Sequence, residues 1–208
     1  MDKFVFKSEL WVAQNTGVKV NTLDGFRRAI SEVDEDTLYY HFYRSIFEFH
    51  FLIPTYSNDF AFWFSDNGLP ILAEKMSIID PLVYTSLGDV RAELSRVLQE
   101  AGEDRRRFKT PFYFQRAIRD VVELGMEADS VSSFIEMFES IGVYCLFYHL
   151  VTARLRLGES TNDFSQWLRA AGREETAKEI ESLNPWMFSL YDMKAFILDV
   201  LKRKRNVD

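Results

Sequence analysis

A chain of 208 residues with 47% hydrophobic and 15% aromatic side chains can bury a core and is not a disordered tail. Its formal net charge is −7, with 9 Lys/Arg against 17 Asp/Glu in residues 1–104 and 16 against 15 in residues 105–208. That acidity disfavours nucleic acid as a partner, and no apolar run reaches the roughly 18 residues of a membrane-spanning helix.

In chain order, the start MDKFVFKSELWV carries Asp2, Lys3, Lys7 and Glu9, with no continuous apolar core of the kind expected in a signal peptide. FVFKS within it is the only strand candidate. TLDGFRRAISEV then sets Leu23, Phe26, Ile30 and Val33 at helical spacing. DEDTLYYHFYRSIFEFHFL opens with three acids, which suit a helix N-terminus, and is expected to stop before Pro54. Asn58 or Asp59 caps a short helix with Phe60, Trp63 and Phe64 on one stripe, ended by Gly68. LPILAEKMSIID forms another helix with Pro70 in its first turn, broken at Pro81, and Ser86-x-x-Asp89 opens the next.

EAGEDRRRFKT (100–110) is a polar connection, and beyond it the text repeats. With a shift of 108 residues, Phe4, Phe6, Thr22, Phe26, Tyr40 and His41 fall on Phe112, Phe114, Ser130, Phe134, Tyr148 and His149. After a four-residue deletion, Asn58, Asp59, Phe60, Trp63 and Pro81 fall on Asn162, Asp163, Phe164, Trp167 and Pro185. The order is kept across the chain, so we read a tandem duplication: a first repeat over 1–102 and a second, diverged one over 109–208. A period this long is a copied domain rather than a solenoid turn, and two fused copies are expected to pack as one compact unit. FYFQ is read as a helix start, so the expected fold is all-α, two pseudo-symmetric helical repeats with about 10–12 helices.

Four repeated residues could carry chemistry. His41 and His149 each follow a tyrosine, Tyr40 and Tyr148, inside apolar helices. They are either buried histidines bonded to a backbone carbonyl or to the repeated aspartate, or part of a site between the repeats. In the second case His41, Asp59, His149 and Asp163, with Tyr40 and Tyr148, would bind a small ligand or a divalent metal, or act as an acid–base pair. Cys145, the only cysteine, excludes an intramolecular disulfide framework, fits a reducing compartment, and sits in an apolar run as a core residue. Glu-x-x-His, phosphate-loop, dinucleotide and Gly-x-Ser-x-Gly signatures are missing, and no cofactor is expected.

The repeats differ in aromatic content. Residues 39–64 hold twelve aromatics, among them Phe49 and Phe51, and Phe62 stands where the second repeat has Gln166. A position that tolerates glutamine lies near the surface, so Phe62 is a candidate partner interface. The clusters Arg105–Arg107 and Lys202–Arg205 are too short for a nucleic-acid face and read as solvated ends.

TLYYHFYR, NDFAFW, LAEKM, IIDP and SLGDVRAEL, after FVFKSELWVAQNTGVKVNTLDGF, resemble an uncharacterised bacterial helical domain family of unknown function. The second half looks like a diverged copy with PFYF, FYH and NDFSQW. Such domains look similar to ones found near enzymes of α-glucan or trehalose metabolism, and the resemblance implies no particular activity. The reading is a cytoplasmic, non-enzymatic interaction or regulatory module, with a protein partner or self-association and no membrane. The alternative is a small-ligand or metal-binding enzyme or sensor.

Overall fold

The computed structural model describes residues 2–48, 55–80, 83–184 and 187–203. The breaks expected at Pro54, Pro81 and Pro185, together with Phe49, Phe51, Lys204 and Arg205, lie outside these residues.

The fold is mixed α/β, which overturns the all-α expectation. β1 (Phe4–Val20) precedes α1 (Leu23–Glu32), α2 (Glu35–Glu48), α3 (Asp59–Asp66), α4 (Pro70–Ser77) and α5 (Leu87–Glu100). β2 (Phe112–Ala128) precedes α6 (Val131–Ser140), α7 (Val143–Phe147), a π-helical turn (Tyr148–Thr152) and α8 (Ala153–Leu157). α9 (Asp163–Ala170), α10 (Glu174–Glu181) and α11 (Leu190–Arg203) follow. β1 and β2 pair as a two-stranded sheet. Lys3 meets Glu127 and Lys7 meets Glu123, so the strands run antiparallel. FYFQ therefore belongs to β2 and not to a helix.

The hydrophobic pattern shows why the strands form without strand-like alternation. Only their first residues alternate into a core: Phe4 and Phe6 in β1, Phe112 and Phe114 in β2 are all buried. Beyond those, most side chains of both strands are exposed or half-buried, so no period of two is imposed. Gly17 and Gly125, at equivalent places, have φ of 79° and 68°, left-handed values that other residues resist. The N–H of Gly17 donates to Asn15 Oδ1 at 2.8 Å, fixing that kink.

The described residues divide into two compact units. The central unit holds residues 11–48 and 55–118, and the terminal unit holds 2–10 and 119–203. Each unit thus takes its helices from one repeat and its Phe-x-Phe strand start from the other. In the central unit Phe26 stacks on Trp63 with centroids 5.1 Å apart and meets Phe60 edge-on at 5.4 Å, while Phe112 packs on His41 at 4.7 Å. In the terminal unit Phe134 stacks on Trp167 at 4.9 Å and meets Phe164 edge-on at 5.9 Å, while Phe4 packs on His149 at 4.9 Å. Burying each such ring is worth about 1.5–3 kcal/mol, so the strand starts are held mainly by aromatic burial.

Candidate functional site

The repeated Asn-Asp-Phe-x-x-Trp stretch divides its labour. Asn58 is the cap: its Oδ1 accepts from Ala61 N at 3.0 Å, and Asn162 Oδ1 accepts from Ser165 N at 2.9 Å. The next residue, at the positive end of the helix dipole, is thereby free to reach back toward α2 or the π turn. Phe60 and Phe164 are fully buried. The indole N–H of Trp63 donates to the carbonyl of Thr110 at 2.7 Å, and that of Trp167 to the carbonyl of Asp2 at 2.9 Å. Both carbonyls lie just ahead of a strand, so the motif grips the incoming chain.

The histidines complete the grip. In the central unit His41 Nδ1 lies 2.9 Å from Asp59 Oδ2, and its Nε2 accepts the backbone N–H of Gln115 at 3.0 Å. In the terminal unit His149 Nδ1 lies 2.7 Å from Asp163 Oδ2, and its Nε2 accepts the backbone N–H of Lys7 at 2.8 Å. An amide N–H can only donate, so Nε2 must carry a lone pair and the ring proton sits on Nδ1, where it is donated to the aspartate. Each imidazole is therefore neutral with both nitrogens in use. Burial pushes both histidines below their ordinary pKa and outweighs the upward pull of the aspartates. Burial alone would raise the Asp59 and Asp163 carboxyls, yet the hydrogen bonds from the histidine and an arginine hold both below the carboxylate range.

That arginine comes from different places. Arg44, three residues after His41 on a regular helix, donates Nη2 to Asp59 Oδ1 at 2.8 Å. Arg156 follows the π turn, seven residues after His149, and its Nη2 contacts both Asp163 oxygens at 2.5 Å. Tyr40 and Tyr148 are buried beside these pairs, under Arg44 at 6.0 Å and Arg156 at 5.4 Å. His41 and Asp59 thus meet in the central unit, and His149 and Asp163 in the terminal unit. Among the described residues no group of three or more His, Cys, Asp or Glu could hold a metal ion.

Sequence reasoning missed Arg44 and the strand amides of Lys7 and Gln115. The amides leave no side-chain trace, although each directly follows one of the matched Phe-x-Phe pairs. Phe62 is 37% exposed and meets Tyr56 edge-on at 5.3 Å, so a nearby aromatic gives it part of its cover. Cys145 is buried. Arg105 and Arg106 pair with Glu103 and Asp104, and Lys202 and Arg203 with Glu139 and Glu179.

Two paired strands shared between compact helical units, each clasped by an Asp–His pair, define a mixed α/β class of protein. The chain belongs to DUF5752, a family of unknown function, whose match spans residues 1–202. It is similar to the solved structure of OrfY from Thermoproteus tenax, with 29% identity and a TM-score of 0.85, over 97% of this chain and 94% of that one. No curated protein matches it. Among the described residues no helix is long and apolar enough to cross a membrane.

Proposed function

We propose that the chain is a non-enzymatic interaction module of the cytoplasm, a tandem duplication of repeats 1–102 and 109–208, and that it self-associates through the outer face of α4. One observation carries this reading: Ile71 and Ile78 are 73% and 79% exposed on the central unit. They stand seven residues apart, two helical turns, and so share one face of the helix segment. At the equivalent positions the second repeat has Glu175 and Ser182, both exposed, so the fold itself does not call for isoleucine there. Exposed apolar faces of this kind mark interfaces.

The face also suits a second copy. An isologous contact pairs one patch with itself. With two α4 helices antiparallel, each Ile71 meets the other Ile78, and Glu74 and Lys75 between them offer both signs of charge. Phe62, half-covered by Tyr56, contributes a weaker apolar surface. The neutral, doubly bonded histidines support a structural rather than an acid–base role for the repeated site.

Light scattering across a dilution series tests this on wild type and on the double variant Ile71→Glu with Ile78→Ser. Both substitutions are residues that the second repeat already carries. The expected result is a wild-type mass that climbs toward the dimer with concentration and a variant that stays monomeric with unchanged melting temperature. A wild type that is monomeric throughout, or a variant that dimerises equally well, overturns it.

A further inference from the structure

We infer that an open cavity of about 610 Å³ in the terminal unit binds a small phosphate ester. It lies beside the His149–Asp163 pair, and its lining includes Lys3, Lys7, Tyr148, Arg156, Gln166 and Trp167. This inference is independent of self-association, because it concerns different residues and a different unit.

Three cations converge there. Arg156 is held in place: Asp163 grips one terminal nitrogen and the guanidinium lies over the Tyr148 ring. Among the described residues its other N–H groups meet no acceptor and can serve a ligand oxygen, and a guanidinium fork matches phosphate geometry. Lys3 and Lys7 pair with Glu127 and Glu123, two exposed glutamates. Such exposed pairs are weak, so either ammonium can exchange its partner for a phosphate oxygen at little cost. His149, locked neutral by the Lys7 amide, neither repels nor attracts the anion, and Asp163 is already matched by Arg156.

The second copy of the same architecture supplies an internal control. In the other repeat, Lys3, Lys7 and Gln166 are replaced by Pro111, Gln115 and Phe62, while Arg44 takes the place of Arg156 on the aspartate. The grip on the strand survives these three changes, since it runs through backbone N–H groups and the buried His–Asp pair. The fold therefore does not require the two lysines, and their gathering beside Arg156 around one cavity needs another reason. A volume within the roughly 300–1,000 Å³ of small-molecule sites leaves room for more than an inorganic ion. Gln166 and Asp2, also in the lining, offer partners for hydroxyl groups of the organic part.

Titration calorimetry in low-salt buffer tests the site with glycerol 3-phosphate as the probe and glycerol as the uncharged control. Two variants accompany the wild type: Lys3→Ala with Lys7→Gln, which removes cations but keeps the Lys7 backbone amide, and Gln166→Phe, which sets in the lining the bulkier ring that the other repeat carries. Unchanged melting temperatures establish that both are folded. Saturable binding of the phosphate ester by wild type, none of glycerol, and at least roughly tenfold weaker binding in each variant is expected. No saturable binding of the ester by wild type, or either variant binding as tightly as wild type, overturns the inference.

Discussion

The Nε2 atom of His149 accepts the backbone N–H of Lys7 at 2.8 Å, a bond across 142 residues of sequence. Together with its equivalent, His41 to Gln115, it ties the helices of one repeat to the strand start of the other. Truncating either histidine strands a strand amide and a buried carboxylate and leaves a cavity. His41→Ala is expected to cost about 2–4 kcal/mol in urea unfolding, and His149→Ala less, because water in the neighbouring cavity can reach the abandoned groups. Losses below about 0.5 kcal/mol at both positions would contradict the clasp.

Acid should weaken the fold in two stages. Both histidines have folded-state pKa values below the ordinary 6.5, with burial the main cause. The unfolded chain therefore binds protons first, and stability that is complete at neutral pH falls as the pH drops below that value. The slope approaches about 1.4 kcal/mol per pH unit for each histidine. Asp59 and Asp163 are also lowered, so their contribution, present above the usual 3.8, is lost as the pH falls on toward their folded values. Urea midpoints measured between neutral and mildly acidic pH should decline steadily; a midpoint that rises on acidification speaks against neutral buried rings.

The two caps should not be worth the same. Asn58 also donates its amide to the Met76 carbonyl at 2.9 Å and to Ser57 Oγ at 3.1 Å. The buried Nδ2 of Asn162 has no hydrogen-bond partner among the described residues. Asn58→Ala is expected to lose about 2–3 kcal/mol and Asn162→Ala about 1 kcal/mol or less, since the second change also removes an unsatisfied amide. Equal losses in a pair of denaturation curves would be inconsistent with this geometry.

Cys145 is buried, and burial pushes its thiol up to about 12. At pH 8 the native protein should react with an aromatic disulfide reagent only as fast as it opens, and at full rate once unfolded. Prompt reaction of one equivalent in the native state would contradict a core cysteine.

Much of the helical half of the fold was legible because its signals are local. Asn58 and Ser86 cap where the sequence placed caps, and Pro70 sits in a first turn. The strands were not legible, and β2 shows why. Ile118, Val121, Val122 and Met126 recur at helical spacing, and a ribbon exposed on most of its length has no buried face to enforce alternation. The repeated His–Asp residues were visible as a pair, but their third partner is a backbone amide. Only the fold decides which strand delivers that amide, and here it comes from the opposite repeat.

The most direct test is the protonation state of the two rings, read from imidazole nitrogen chemical shifts of the folded protein between pH 5 and 8. Both rings are expected to be neutral at neutral pH, with the proton on Nδ1 and an acceptor-type Nε2, to take up a second proton only below the ordinary 6.5, and to be unchanged by small phosphate esters. A ring that titrates near 6.5, or one protonated at Nε2, would contradict the strand clasp and return these histidines to the chemistry of acids and bases.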